Sequence, residues 1–154
     1  MIKRILVPLD GSKLAECALP YAEELAEKLG SEVALVSVTN RTQGFWPFED
    51  PEERTEERLI PEAVCTMEER AGNYLDTTAK EMEGKGIKIF KEVVCGKTAE
   101  EISNYVDTRH IDLVIMSSHG RSGPRKLLRG SVAQKVLKTA RVPIMLIRAP
   151  GCNL

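Results

Sequence analysis

The sequence predicts a single α/β domain, a parallel sheet of five strands with helices packed on both faces. The chain has 154 residues, about the size of one domain. Strand-like and helix-like segments alternate strictly from the first residues to the last, which is the pattern of a parallel sheet with right-handed crossovers. The strand-like segments are short continuous apolar runs, such as Ile5–Val7. Such runs are typical of strands that are buried on both faces.

Five segments are predicted to be strands, and each ends in turn-forming residues. They cover Ile2–Leu9, Glu32–Val38, Ile87–Val94, Asp112–Ser118 and Val142–Arg148. Ligands of such sheets bind beyond the carboxyl ends of the strands, where the strand order reverses. The positions that follow these ends are Asp10, Val38–Thr39, Cys95–Gly96 and Ser117–Gly120.

Four segments carry the helical period of 3.6 residues, at Lys13–Leu29, Glu62–Glu83, Thr98–Thr108 and Ser131–Ala140. Ser12 is placed to cap the first helix, and Gly30 to end it. Thr98 and Glu101 have the spacing of a capping box, which predicts Thr98 as the cap of the third helix. The inward stripe predicted for the first helix is Leu14, Ala18, Ala22, Leu25 and Leu29.

The composition excludes several classes of function. The chain is 42% hydrophobic and 29% charged, as expected of a globular rather than a disordered protein. Its net charge of −1 gives no general attraction to nucleic acid or to an anionic membrane, so neither is expected as a partner. No apolar run reaches the roughly 18 residues of a membrane span. The opening Met1–Pro8 is too short for a signal peptide, and the four cysteines are scattered without a CxxC pair. A cytoplasmic protein with reduced thiols is expected.

The residues in and around positions 39–61 form a long acidic connection. Nine acidic side chains lie between Glu49 and Arg70, which is typical of a solvated surface. Phe45, Trp46 and Phe48 lie together in the same connection. They predict either a hydrophobic anchor that ties the loop down or a surface for a protein partner or lid.

The end of the chain is basic. No carboxylate side chain follows Asp112, whereas eight lysines and arginines do. This imbalance favours a site for a bound anion, although surface solubility explains some of these charges.

Several well-known motifs are missing. No G-x-G-x-x-G follows the first strand, so the dinucleotide fingerprint is absent. Gly96-Lys97-Thr98 resembles the end of a P-loop, but Lys91 stands where that motif needs its first glycine. The two histidines, His110 and His119, have no metal-ligand spacing, so no metal site is expected. No G-x-S-x-G nucleophile elbow is present, and no catalytic residue is assigned.

The segment from Ser117 to Val132 has the layout of a phosphate site. A strand ends in small residues, a glycine-rich basic loop follows, and Gly130-Ser131 opens a helix. Small residues let backbone N–H groups approach phosphate oxygens, and a helix N-terminus favours an anion. A glycine-rich turn without a ligand explains the same residues.

The whole chain resembles the universal stress protein family. The first marker is the opening strand with Val7-Pro8-Leu9-Asp10-Gly11-Ser12. The second is the family's Gly-x2-Gly-x9-Gly-Ser/Thr nucleotide motif, whose last parts match Gly120, nine intervening residues and Gly130-Ser131. The closing Val142–Ile147 resembles the family's fifth strand. The resemblance implies a sheet of order 3-2-1-4-5 in one domain over residues 1–150, with a short tail at 151–154.

The resemblance also implies a ligand, ATP or AMP, with any Mg²⁺ held through the phosphates. Asp10, with the backbone near Pro8, Leu9 and Val38, would hold the adenosine, and Met116 would line its pocket. A carboxylate accepts bonds from hydroxyl or amino groups but repels phosphate, so Asp10 suits the nucleoside end. A turn-forming role before Gly11 is the alternative for Asp10. The phosphate and ribose end would be formed by Ser117, Gly120, Arg121, Gly123, Arg129, Gly130, Ser131 and Val132.

One departure from the motif leaves the function open. Ser117 stands at the first motif glycine and adds a Cβ close to the expected phosphate. A nucleotide-binding stress-response or signalling module is the leading hypothesis, and a scaffold that has lost nucleotide binding is the alternative. An enzyme of the adenine-nucleotide α-hydrolase type is a third, but its Ser-Gly-Gly-x-Asp-Ser loop is absent from Pro8–Ser12. At most slow ATP hydrolysis is expected.

A homodimer is expected through the strand at 143–148. In the order 3-2-1-4-5 this strand is an edge, and its core Ile144–Ile147 is wholly apolar. Antiparallel pairing with the same strand of a second copy about a two-fold axis would cover that edge. A monomer whose Cys152–Leu154 tail folds over the edge is the alternative, although three residues are short for that task.

Overall fold

The computed structural model describes residues 1–40, 61–118 and 132–148, and for residues 61–66 it describes the backbone alone. Five strands form one sheet: β1 (Arg4–Pro8), β2 (Glu32–Thr39), β3 (Ile89–Cys95), β4 (Leu113–Ser117) and β5 (Ile144–Ile147). The strand order is β3-β2-β1-β4-β5, and every neighbouring pair is parallel. The predicted fold class and strand order are therefore confirmed.

In the described parts of the chain, five helices lie between these strands: α1 (Lys13–Glu16), α2 (Leu19–Leu29), α3 (Pro61–Glu83), α4 (Thr98–Thr108) and α5 (Val132–Thr139). The core has one cluster on each face of the sheet. α1, α2 and α3 pack on one face, around Ile5, Val7 and Leu35. α4 and α5 pack on the other, around Leu6 and Val114. Successive strand residues point to opposite faces, so the continuous apolar run of β1 serves both clusters.

The helix predicted over Lys13–Leu29 is interrupted, with α1 ending at Glu16 and α2 beginning at Leu19. The break follows from Pro20. A proline within a helix has no N–H to donate, and its ring clashes with the carbonyl four residues earlier, here that of Glu16. In the second position of α2 that missing N–H does no harm, because the first N–H groups of a helix have no partner within it. The predicted inward position of Leu29 is also wrong, since its side chain is 49% exposed.

The predicted capping box at Thr98 is wrong as well. Lys97 takes the cap position without a side-chain hydrogen bond, and Thr98 is the first helical residue. The Glu101 side chain lies over Gly96, so close that a Cβ there would be 2.6 Å from Glu101 Oε1. The cap at Ser12 is confirmed, because its Oγ accepts a hydrogen bond from Ala15 N.

β5 is shorter than the predicted Val142–Arg148. Pro143 has no N–H for the ladder, yet its carbonyl accepts from Val114 N at 3.0 Å. At the other end, Ser118 N donates to Ile147 O at 2.8 Å. In a parallel ladder these two bonds turn the backbone of Met145 and Ile147 toward β4. The backbone N–H groups of Ile144 and Leu146 therefore face the outer edge.

Candidate functional site

The carboxyl ends of β1 and β4 separate at the point where the strand order reverses. The ladder between them consists of the pairs Ile5–Leu113 and Leu6–Val114. Beyond these two pairs, the next backbone bonds described for the two strands lead to their outer neighbours, β2 and β5. Leu9 N donates to Val36 O of β2 at 2.8 Å, whereas Ser118 N donates to β5. The region between the end of β1 and the end of β4, here called the crevice, is the usual ligand position in this architecture.

Asp10 forms a tight turn at the β1 side of the crevice. Its Oδ1 accepts from Ser12 N at 2.9 Å and from Ser12 Oγ at 2.5 Å. Gly11 supports the turn with a φ of 82°, a conformation that glycine adopts without steric cost. The turn-forming role considered for Asp10 is therefore real. It also fixes the half-buried carboxylate at the mouth of the crevice.

The β1 and β2 residues predicted beside Asp10 occupy different faces of the sheet. Pro8 ends β1 and is half-buried, and Leu9 is 3% exposed in the cluster under α1–α3. Val38, near the end of β2, is half-buried and packs against the cluster under α4 and α5. The structure thus brings their backbones to one edge while separating their side chains.

The end of β4 contributes three buried residues. Met116 packs in the α4–α5 cluster with Val38 on its margin. Because side chains alternate along a strand, Ser117 points to the α1–α3 face and Ser118 to the other. Both serines are less than 9% exposed. The Cβ that departs from the motif therefore lies in the protein interior on the α1 side.

Small polar side chains accumulate on the α1–α3 face at this end of the sheet. Ser37 and Thr39 of β2 lie on the same face as Ser117, and all three are buried. Thr39 Oγ1 donates to Val94 O at 3.5 Å, and Gly96 N donates to Thr39 O at 2.9 Å. Buried hydroxyls of this kind are normally hydrogen-bonded, and they make the strand ends polar beneath the crevice.

Most of the predicted phosphate end lies outside the described residues. This holds for Gly120, Arg121, Gly123, Arg129, Gly130 and Ser131. Val132 is the first residue of α5 and is 37% exposed. The segment 119–131 thus connects the carboxyl end of β4 to the N-terminus of α5, as its sequence predicts. Of the long connection predicted at 39–61, residues 41–60 are likewise outside the described part of the chain, whereas Thr39 belongs to β2 and Pro61 to α3, so the predicted bounds are wrong at both ends.

A polar contact that the sequence did not reveal lies beside Asp10. The Tyr74 hydroxyl of α3 donates to Glu16 Oε1 of α1 at 2.9 Å. Burial is the main cause that raises the pKa of Tyr74 above its ordinary value of 10.0, and the hydrogen bond to Glu16 adds to it. The tyrosine therefore remains a hydrogen-bond donor throughout the physiological pH range. The two partners are 58 residues apart, and no local pattern signals the contact.

Two cavities among the described residues lie at the opposite, amino end of the sheet. The larger has a volume of about 380 Å³ and lies between the end of α2 and the start of β3. The smaller, about 200 Å³, lies between β3 and the end of α4. Charged side chains already paired with one another line both, such as Lys88 with Glu32 and Arg109 with Glu92. Neither gathers groups with unusual chemistry, so the crevice at the carboxyl ends remains the candidate site.

The described residues contain no cluster of three or more metal-ligating side chains. In the same parts of the chain, no helix has the length and apolar character needed to cross a membrane.

The chain is similar to known proteins over nearly its whole length. Residues 1–148 match the model of the universal stress protein family. Universal stress protein MJ0531 of Methanocaldococcus jannaschii is 29% identical over 150 residues, which are 97% of this chain and 84% of the relative. Universal stress protein YxiE of Bacillus subtilis is 24% identical and covers 96% of this chain and all of the relative.

Solved structures show the same architecture. The structure of MJ0577, another Methanocaldococcus jannaschii protein, superposes with a TM-score of 0.83 at 28% identity, covering 98% of this chain and 99% of that one. A universal stress protein in complex with cAMP gives 0.68 at 16% identity, with 96% and 98% covered. An Arabidopsis thaliana family member with AMP bound gives 0.65 at 15% identity, with 97% and 93% covered. The last two likenesses concern the fold alone. The match of the family model from residue 1 to residue 148 shows that the chain belongs to the universal stress protein family.

Proposed function

We propose that this chain binds an adenine nucleotide, ATP or AMP, in the crevice between β1 and β4 and acts as a stress-response or signalling module. The observation that carries the proposal is the separation of the two strand ends, with Leu9 N bonded to β2 and Ser118 N bonded to β5. A ligand can enter a parallel sheet at such a point without breaking a ladder.

The charges along the crevice orient the nucleotide. Asp10 places a carboxylate at the β1 side, where ribose hydroxyls or an adenine amino group are suitable donors. The basic glycine-rich segment 119–131 starts from the β4 side and leads into α5. Phosphates there gain from backbone N–H groups, cationic side chains and the dipole of α5. Any Mg²⁺ would be held by phosphate oxygens and water, since the chain has no carboxylate side chain after Asp112.

The relatives support an adenine nucleotide as the ligand. Proteins of the same fold have been solved with cAMP and with AMP. Adenine, ribose and at least one phosphate are common to these ligands and to ATP, and they match a site with a carboxylate at one end and cations at the other.

Titration calorimetry with ATP and with AMP, with and without Mg²⁺, tests the proposal. Gly130→Asp introduces a side chain and a negative charge at the expected phosphate position, so it should reduce the affinity at least about tenfold. Gly84→Asp is the matched control. It makes the same change at the exposed end of α3, where a Cβ meets only carbonyl oxygens at 3.5 and 3.6 Å.

The outcomes separate the hypotheses. Loss of binding in Gly130→Asp alone supports the site. Equal affinity in both folded variants removes the phosphate assignment. A wild-type protein that binds neither nucleotide supports the scaffold alternative, in which Ser117 has closed the site.

We propose that hydrolysis is slow at best. Fast phosphoryl transfer needs a positioned water and groups that hold the metal and neutralise charge. Asp10 is the strand-end carboxylate beside the crevice, and its Oδ1 is engaged by Ser12. A turnover above about 1 per second would fall in the range of true enzymes and would favour the hydrolase alternative.

We also propose a homodimer through β5. The side chains of Met145 and Leu146 are 36% and 37% exposed on this edge strand. Leu146→Pro removes an N–H that faces the outer edge, so it should give a monomer with an intact fold. Met145→Pro removes an N–H that faces β4, so it should damage the sheet itself. Sedimentation at micromolar concentration with circular dichroism distinguishes the two, and a monomeric wild-type protein refutes the dimer.

A cytoplasmic location remains part of the proposal. The four cysteines are scattered without a CxxC pair, a pattern typical of proteins in a reducing compartment. Fractionation of cells that produce the tagged chain tests this location.

A further inference from the structure

α1, the helix that follows the Asp10 turn, is weakly held by its own backbone. It has four residues, fewer than an isolated helix needs to be stable. The hydrogen bonds donated by the amides of Glu16, Cys17 and Ala18 are each 3.3 Å long, beyond the usual range of N–H···O bonds. Contacts from elsewhere in the molecule must therefore fix its position.

α3 supplies such a contact through Tyr74. The Tyr74 ring packs against the α1–α3 core cluster, and its hydroxyl donates to Glu16 Oε1 at 2.9 Å. The other oxygen of the same carboxylate, Glu16 Oε2, pairs with the exposed Lys13 ammonium at 3.2 Å. The lysine side chain is 94% exposed, so its pairing with Glu16 contributes little. The half-buried tyrosine bond is the more effective tether.

The tether continues to Asp10 through the hydrogen bonds at the start of α1. Ser12 Oγ accepts from Ala15 N at 3.2 Å, and the Ser12 N–H and hydroxyl both donate to Asp10 Oδ1. The negative charge of Asp10 also helps to raise the pKa of Tyr74, as a group within electrostatic reach of the phenol would. A continuous path thus runs from α3 to the crevice.

We propose that Tyr74, acting through Glu16, is a positioning residue that fixes the Asp10 carboxylate for the nucleoside. This role rests on the proposed nucleotide site. In this role Tyr74 acts through α1 and not by direct contact with the nucleotide. The bond to Glu16 holds α1, and with it the Asp10 turn, in the conformation that binds the nucleotide. Less conformational entropy is therefore lost when the nucleotide binds.

Tyr74→Phe tests the proposal because it removes the hydroxyl and keeps the ring. Tyr105→Phe is the matched control. Tyr105 is more fully buried than Tyr74, and burial, followed by the nearby Glu92 carboxylate, raises the pKa of Tyr105, but this tyrosine lies at the amino end of the sheet. Glu16→Gln is the conservative variant, since its amide oxygen still accepts from Tyr74.

Two measurements are made on each variant. Hydrogen exchange without ligand reports the protection of the Ser12 and Ala15 amides, and calorimetry reports the affinity for AMP and ATP. In Tyr74→Phe we expect exchange of both amides to be about tenfold faster and affinity to fall several-fold. Tyr105→Phe should change neither, and Glu16→Gln should stay close to the wild type in both.

Unchanged exchange at Ser12 and Ala15 in Tyr74→Phe overturns the proposal. Equally weakened nucleotide binding in Tyr105→Phe overturns it too, because the effect would then be one of global stability. If the wild type binds neither nucleotide, the proposed function fails. The exchange data then decide alone whether Tyr74 holds the turn.

Discussion

Asp112 joins the amino ends of β1 and β4, and its removal has a calculable cost. Its Oδ2 accepts from Lys3 N at 2.8 Å and from Arg4 N at 2.9 Å. Its own N–H donates to Arg4 O at 2.9 Å, a bond that survives substitution of the side chain. Asp112→Ala therefore loses two hydrogen bonds to a charged acceptor. Both are exposed, so we take about 1 kcal/mol for each, or about 2 kcal/mol in all. For a chain of this length that lowers Tm by about 4 to 8 °C.

Asp112→Asn removes the negative charge of the side chain but can keep its two hydrogen bonds, so it isolates the contribution of the charge to stability. One oxygen of Asp112 accepts both bonds, and an asparagine oxygen can do the same without the charge. The backbone N–H of Arg4, followed by that of Lys3, holds the pKa of Asp112 below its usual value of 3.8. A depressed pKa means that the stabilisation is fully present above the unfolded-state pKa and is lost as pH falls through the folded-state pKa. The difference between the wild type and Asp112→Asn should thus be constant above about pH 5 and shrink below about pH 4.

Urea unfolding followed by circular dichroism at several pH values between 6.5 and 3.5 measures this difference. Asp107→Asn, at an exposed position on α4, is the control and should change the free energy of unfolding by less than about 0.5 kcal/mol. The reasoning is refuted if the wild type and Asp112→Asn differ equally at every pH, or if Asp112→Ala is no less stable than Asp112→Asn at pH 6.5.

Three further substitutions test the packing. Gly96 has a φ of 153° and lies under the Glu101 side chain, so Gly96→Ala should lower the free energy of unfolding in urea by about 1–3 kcal/mol. A second substitution, Glu101→Ala, should restore only the part of that free energy that is lost to the close contact. Leu75 is fully buried in the α1–α3 core, so Leu75→Ala should cost about 3 kcal/mol by the same assay, and a loss under about 1 kcal/mol would contradict its burial. Pro20→Ala restores an N–H that can donate to the carbonyl at the end of α1. The amide of residue 20 should therefore become protected in hydrogen exchange. A freely exchanging amide would show that another contact causes the break between α1 and α2.

The alternation of apolar and amphipathic segments was enough to predict the five strands of the described residues and the approximate spans of their helices, apart from the break between α1 and α2. This worked because a parallel strand buried on both faces leaves a continuous apolar run such as Ile5–Val7. The strand order came from the resemblance to the family. Pro20 indicates the break before α2, but the apolar stripe runs on through Ala18 and Ala22 and predicts one continuous helix.

Other features depend on contacts between distant residues. The bond from Tyr74 to Glu16 joins α3 to α1, which are separated in the chain by α2, β2 and the connection after β2. Lys97 is the N-cap residue of α4, and the Glu101 side chain packs against the turn at Gly96. The capping-box motif does not predict this position of the Glu101 side chain. The sequence predicted that Asp10 and Ser117 lie at the carboxyl ends of β1 and β4, while their roles in a site stay a prediction. The opposite outer partners of Leu9 and Ser118, on the two sides of the crevice, appear only when the whole sheet is assembled.

The position of β1 in the sheet has a consequence for the order in which the chain assembles. Arg4 bonds to Glu32 of β2 only 28 residues later, but to Asp112 beside β4 108 residues later. During synthesis, β1, β2 and β3 can therefore pair well before β4 leaves the ribosome. Until then β1 is an edge strand, and its apolar Ile5–Val7 run has no neighbour on that side. Exposed edges of this kind recruit other chains. A fragment ending after β3 should therefore aggregate. During synthesis, the open edge of β1 is covered only once β4 has emerged and paired with it.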